Sequence, residues 1–379
     1  MSKKIEVKNS GICKNENSVF NYFGWPSVAK LPDGNLAMVA SGFRLAHVCP
    51  FGKTVICYSK DNGVSWTAPA VIIDTPLDDR DSGIVVYDSG KVMVTSFNNS
   101  VDFQREHNNK RPENKHFSLI NGYLDSINAK KAESEFLGST YIISNDGGYT
   151  FGEIKRVPVQ SIHGPCEMLN HKLLYVGRRF DKGVYGDEIE CYVQNDSGEF
   201  EYLSTIDRVT GEGVEFLNCE PHSIVLPSGK IIVHIRIQTI GVPSVGNNKN
   251  TQKVFSTYQC ESYDNAKTFT KPHQIGLESG APSHLLRHSS GVLIASYGYR
   301  SVPYGQRVMF SIDDGETWDC DYILRDDGPS GDLGYPATVE LDNGSLLTVY
   351  YQKEKGKDNC VIMQSIWKIP EPVLAKKLS

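Results

Sequence analysis

Five turn glycines, Gly34, Gly90, Gly229, Gly291 and Gly344, each stand just ahead of an apolar run. Nine residues before them lie Trp25, Asp81, Glu220, Pro282 and Tyr335, and a sixth, degenerate turn has Ile162 or His163 at that place. A tryptophan, an aspartate, a glutamate and a tyrosine at one repeating position offer proton donors and acceptors, a phenol that a carboxylate can activate, and a stacking surface. Arg44, Arg236 and Arg300 fall where the following strands end, and Arg80 adjoins Asp81. Several guanidinium groups at such ends predict an oxyanion or carboxylate held bidentately. His47 lies in residues 45–59, a stretch with no acidic residue, and His163, His222 and His284 sit near inner-strand starts.

These side chains act together only if the chain brings repeated strand starts to one place. The repeats imply such a fold. A pattern Ser-x-Asp-x-Gly-x-x-aromatic occurs intact at Ser59, Asp61, Gly63 and Trp66, at Ser144, Asp146, Gly148 and Phe151, and at Ser311, Asp313, Gly315 and Trp318. A fourth copy, around Asp264, has Ala266 in place of glycine, and Asp196, Ser197 and Gly198 look like a shortened relic. Between these copies come six strand–turn–strand units, five with Asp-Gly, Ser-Gly or Asn-Gly turns of the kind that needs positive φ and a sixth, degenerate one at Asn170-His171-Lys172. Six hairpins, most followed by a second hairpin with the Asp pattern, predict an all-β, six-bladed β-propeller of four-stranded antiparallel blades, one domain over residues 1–379. The last unit lacks an outer strand, which Ile5, Glu6 and Val7 are placed to supply. Such closure removes open sheet edges. Residues 98–138 interrupt blade two. Phe117, Ile120, Tyr123, Leu124 and Ile127 follow helical spacing, so a helix is expected within a mobile insertion, serving as rim packing, a lid or an oligomer contact. Residues 239–253 read as a second long polar loop.

Composition narrows the partners. With 45 acidic and 39 basic residues the formal charge is −6, which argues against nucleic acid or an anionic membrane as the main partner. No apolar run reaches the roughly 18 residues of a membrane span. The opening residues lack a signal-peptide pattern, and nine cysteines without paired spacing read as reduced thiols, so a cytoplasmic location is expected. No metal-ligand spacing appears, and no cofactor is called for.

The Ser-x-Asp repeats and the unit count resemble the Asp boxes and six-bladed propeller of the sialidase superfamily. That resemblance makes the repeat aspartates structural. It implies a tyrosine nucleophile, Tyr335 in Gly334-Tyr335-Pro336, with Glu220 as its partner and Asp81 as acid or substrate contact. Arg236, sixteen residues after Glu220, fits the second arginine of the family's carboxylate-gripping triad, and Arg300 or Arg307 stands for the third. Two positions depart from the pattern. Where the family opens with Phe-Arg-Ile-Pro, this chain has Phe23-Gly24-Trp25-Pro26, and where the family places its acid/base aspartate, only His47 is found.

The reading that follows is a retaining, exo-acting glycoside hydrolase that removes a terminal acidic sugar such as sialic acid. Tyr335, Glu220 and Asp81 would be catalytic, and Arg236, Arg44, Arg300, Arg80, Trp25, His163 and His47 would bind the carbohydrate. The alternatives are a polysaccharide lyase or non-sialic glycosidase on the same scaffold, and a sugar-binding propeller without activity.

Overall fold

The computed structural model describes residues 3–87, 90–181, 183–211, 215–242, 252–278 and 280–378. Strand β1 (Val7–Cys13) opens the chain. Blade one follows as β2 (Tyr22–Lys30), β3 (Leu36–Arg44), β4 (Lys53–Ser59) and β5 (Ala70–Ile73), and blade two as β6 (Arg80–Tyr87), β7 (Lys91–Asn98), β8 (Gly138–Ser144) and β9 (Lys155–Val157). In blade three the inner strand is split into β10 (Val159–Gln160) and β11 (Cys166–Glu167), which share β12 (Leu173–Asp181), followed by β13 (Val184–Gln194) and β14 (Phe200–Ile206). The break falls at Ile162, His163 and Gly164, where Gly164 is left-handed and Pro165 supplies no donor. Blade four is β15 (Glu215–Val225), β16 (Ile231–Val242), β17 (Gln252–Ser262) and β18 (His273–Glu278); blade five is β19 (Gly280–Arg287), β20 (Leu293–Tyr299), β21 (Gly305–Ser311) and β22 (Asp319–Arg325). Blade six is β23 (Leu333–Glu340), β24 (Leu346–Lys353) and β25 (Cys360–Trp367), completed on its outer edge by β1, with Val7 opposite Trp367.

The fold is thus the expected six-bladed propeller of antiparallel sheets, closed by an N-terminal strand that lies at Val7–Cys13 instead of residues 5–7, because the Ile5 amide donates to the Ile323 carbonyl of blade five. Apolar second-strand residues such as Met38, Val94, Val176, Ile235, Ile294 and Val349 are almost wholly buried and fill the spaces between neighbouring blades. The four Ser-x-Asp copies form one and the same turn between third and fourth strands. Ser59 Oγ donates to Asp61 Oδ1 and accepts from the Gly63 amide, while Asp61 Oδ1 accepts from the Ser65 amide. The turns at Ser144, Ser262 and Ser311 repeat these bonds. The tryptophans of two copies reach the preceding blade, Trp66 Nε1 donating to Gln364 and Trp318 Nε1 to Gln259. In blade three, Asn195 takes the aspartate's place and accepts from the Ser197 and Glu199 amides.

Three elements differ from expectation. The blade-two insertion holds three helices, α1 (Val101–Asn109), α2 (Phe117–Ser126) and α3 (Ala129–Phe136), and α2 is the one that the apolar spacing indicated. Ile120, Leu124, Val101 and Ala132 pack on Leu45, Cys49 and Leu77 of blade one's loops, so the insertion is docked on the rim. The polar loop expected at 239–253 is shorter, because β16 and β17 stay paired out to Val242 and Gln252. Its remainder, 243–251, lies outside the described residues. A short C-terminal helix, α4 (Glu371–Leu378), sets Val373 against Trp367 and Ile369.

Candidate active site

Trp25, Asp81, Glu220 and Tyr335 share an unusual backbone. All four are left-handed, with φ of 53°, 44°, 44° and 50°. Each sits where the ladder between first and second strand slips its register: between Gly24 and Ser27, Arg80 and Gly83, Cys219 and Pro221, and Gly334 and Ala337. A bulge leaves one residue unpaired and re-aims its side chain, here out of the ladder and toward the axis. Left-handed backbone costs an L-residue about 1–2 kcal/mol, and that strain is repeated four times around one ring. The inner strands also pack very closely. A Cβ on Gly298 would come within 2.8 Å of the Gly334 Cα, next to Tyr335.

One side of the ring is a closed set of charges. Tyr335 donates its hydroxyl to Glu220 Oε1 at 2.6 Å. Arg236 pairs with Glu220 Oε2 and donates to the Tyr335 oxygen at 3.2 Å. Arg300 lies 5.4 Å from the Tyr335 ring centre, held by two bonds to the Leu333 carbonyl, and Phe255 lies between the two guanidinium groups at 4.8 and 5.6 Å. Burial pushes the Tyr335 phenol well above its ordinary value, and the Glu220 carboxylate beside it adds to the shift. Burial would also raise Glu220, but Arg236 and the Tyr335 hydroxyl hold it below the usual glutamate value. The phenol therefore keeps its proton while a carboxylate stands ready to take it.

Across the ring the carboxylate is in the opposite state. Asp81 is buried and pushed up to about 7, chiefly by burial and against the pull of Arg80, whose Nε is 3.9 Å away. Asp81 Oδ1, Arg80 Nε and Arg236 Nε are buried with no hydrogen-bond partner among the described residues. Two carboxyl groups whose surroundings set one ionised and one protonated near neutrality form an acid/base pair in the making.

Two expected contacts are corrected here. Trp25 is 1 % exposed and clasped between the Arg80 and Arg44 guanidinium groups at 4.4 and 4.9 Å, so it offers no stacking surface. Arg44 is wholly buried. It pairs with Asp78 at 2.5 Å and donates to Ser41 Oγ and the His47 carbonyl, and with no exposed surface it presents none of its donors to a ligand. Removing Asp78 from such a dry pair would strand a charge, so the pair is structural. Arg307, the alternative third arginine, is likewise spent on the Arg325, Gln306 and Pro303 carbonyls.

The histidines separate into two groups. His163 is 3 % exposed, bonded to Ser27 Oγ at 2.8 Å, and packs with His222 and His284 at ring separations of 4.5–5.4 Å. His222 and His284 follow Glu220 and Pro282 by two residues, so the trio fills the axis one layer beneath the ring, and His163 is not on the cleft surface. His47, in contrast, is 44 % exposed at its side chain, edge-on to Trp25 at 4.9 Å. Its Nδ1 meets Asp332 Oδ1 at 2.9 Å and the Tyr22 hydroxyl at 3.1 Å. Asp332 was missed in the sequence, although it stands only three residues before Tyr335. Tyr185 was missed as well. From the β12–β13 hairpin it packs on Phe180 at 4.3 Å and Arg178 at 4.6 Å, feels the charges of Arg80, Asp81 and Glu220, and remains 40 % exposed.

No family model and no curated protein matches the chain. Solved structures do. A protein of unknown function from Dyadobacter fermentans is similar with TM-score 0.72 at 22% identity, over 96% of this chain and 98% of that one. A sialidase from Streptococcus pneumoniae gives TM-score 0.63 at 14% identity over 95% and 70%. The GH93 α-L-arabinofuranosidase of Fusarium graminearum gives 0.63 at 14% over 98% and 99%. At these identities the likeness is one of fold: this chain shares its propeller with glycosidases of two different specificities.

Proposed function

We propose that the protein is a retaining glycoside hydrolase that uses Tyr335 as nucleophile on a terminal, acidic sugar such as sialic acid. The observation that carries this reading is the 2.6 Å bond from the Tyr335 hydroxyl to a Glu220 carboxylate that Arg236 keeps ionised. A neutral phenol approaches a carbon bearing a carboxylate without the repulsion an anionic nucleophile would meet, and Glu220 removes its proton as the bond to the sugar forms. Tyrosine nucleophiles are the known exception to the two-carboxylate scheme. Asp81 stands on the sugar's other side as a proton-bearing carboxyl, and the orphaned nitrogens of Arg80 and Arg236, with Arg300, hold the anion. The glycosidases among the similar structures support a carbohydrate substrate.

A second reading, a non-sialic glycosidase on the same machinery, is favoured by one feature. Arg44 is buried against Asp78 and Gly24 carries no side chain, so no arginine stands where the sialidase pattern has the first of its carboxylate-gripping triad. Turnover of 4-methylumbelliferyl N-acetylneuraminate and 4-nitrophenyl α-L-arabinofuranoside by the native chain and by Tyr335→Phe separates these readings. Hydrolysis of either that Tyr335→Phe leaves intact overturns the nucleophile. Binding without turnover on a broad panel would point to a sugar-binding propeller.

A further inference from the structure

His47 has the geometry of a working imidazole. Its Nδ1 faces the Asp332 carboxylate at 2.9 Å, and that carboxylate is held at about 2 because bonds from His47, Tyr22 and Cys360 outweigh the effect of burial. An ionised carboxylate only accepts, so Nδ1 must carry the hydrogen, and Nε2 is left as a bare lone pair on a half-exposed ring. Among the described residues every hydrogen bond to this ring is made at Nδ1. The half-exposed ring is tied to the buried groups around Tyr335. An unbroken line of ring contacts runs from His47 through Trp25 and Tyr351 to Tyr335, at centroid separations of 4.9, 5.7 and 5.9 Å. Asp81, Tyr335 and Arg236 lie deeper, each less than a tenth exposed, and there they face the sugar. A leaving group that departs past this half-exposed ring would meet Nε2.

We propose that His47, oriented by Asp332 and Tyr22, carries the proton to and from the leaving-group oxygen, in the reaction assigned above to Tyr335 and resting on that assignment. As the glycosidic C–O bond breaks, Nε2–H of protonated His47 gives its hydrogen to the departing oxygen, Tyr335 bonds the anomeric carbon, and Glu220 takes the phenolic proton. In the second half Nε2 takes a proton from water, the resulting hydroxide oxygen bonds the same carbon, and Tyr335 leaves and recovers its proton from Glu220. Asp81 remains on the sugar side as a hydrogen-bond donor. The charged and titratable groups facing His47 are Asp332 and Tyr22, Arg80 and Arg300, and His107 of α1. Burial, with the two arginines, outweighs Asp332 and sets His47 below its ordinary value, so activity on a poor leaving group should fall as pH rises, with its midpoint on the acid side of an ordinary histidine.

The test compares leaving groups. With the full chain, His47→Gln should slow a methyl glycoside of the accepted sugar by ~100-fold or more, while the 4-methylumbelliferyl or 4-nitrophenyl glycoside, which needs little protonation, changes less than ~10-fold. The alkaline limb of the methyl glycoside's pH profile should disappear with it. Equal losses on both substrates, or a leaving-group-dependent loss in Asp81→Asn instead, overturn the proposal. A Tyr335→Phe variant that stays active overturns the parent reading instead. Independently of any substrate, ¹⁵N NMR of the imidazole should report the Nδ1–H tautomer, disrupted in Asp332→Asn. The Nε2–H tautomer in the native chain would refute it.

Discussion

The propeller's rim and its axis use the repeat in opposite ways. At the rim, Asp61, Asp146, Asp264 and Asp313 are one residue type making one set of bonds, and each turn differs little from the next. At the axis, Trp25, Asp81, Glu220 and Tyr335 have one backbone conformation and four different side chains. Where a repeat keeps both side chain and bonds, the residue holds the blade together. Where it keeps only a strained backbone, it serves to point a side chain, and the choice of side chain is free for chemistry.

This contrast can be broken by mutation. The largest effect expected is at the axis. Tyr335→Phe should lower turnover by ~1,000-fold or more while costing only ~1–3 kcal/mol of stability, since the ring stays buried and Glu220 loses one donor. Next, Asp81→Asn, which keeps a donor but loses the carboxyl, should reduce kcat by roughly 10-fold. Its Tm should hold or rise, because Asn accepts left-handed backbone readily and removes a buried carboxyl. A marked fall in Tm on thermal melting would mean that Asp81 is structural after all. At the rim the pattern should invert. Ser59→Ala deletes a buried hydroxyl that accepts from the Gly63 amide, costing ~1–2 kcal/mol in denaturant unfolding, with kcat/KM unchanged. A comparable loss of activity would erase the distinction between rim and axis.

The smallest effect concerns the layer beneath. Burial holds His163 and His222 well below the ordinary histidine value and brings His284 to about 3. A neutral imidazole that resists protonation when folded binds protons first in the unfolded chain. Stability from these groups is therefore full above about 6.5 and drains away as pH falls toward about 3. His284→Gln should flatten the decline in Tm between pH 7 and pH 5. An unchanged slope would show that carboxylates alone govern acid unfolding.

Much of this is legible in the sequence. Turn glycines at a fixed distance from reactive residues placed Trp25, Asp81, Glu220 and Tyr335 at equivalent sites, because a hairpin's register is set by its turn. The same logic found the six blades, and it placed the closing strand at residues 5–7, of which only Val7 lies in the strand Val7–Cys13. What stayed hidden depended on neighbours distant in sequence. Trp25 and Arg44 carry the right chemistry at the right strand positions, yet Asp78 and Arg80 arrive from the next blade and enclose them. The sequence sets His47 where the family has its acid/base aspartate, but the Asp332 that orients its ring comes from 285 residues away.

By itself, then, the sequence determined the architecture and the ring position, since local turn chemistry and period-two patterning need only nearby residues. Tertiary structure alone decided which of the collected groups remain open to a substrate, which are spent on one another, and which carboxyl keeps its proton. Burial and charge pairing are properties of the assembled surroundings, and no single strand contains them.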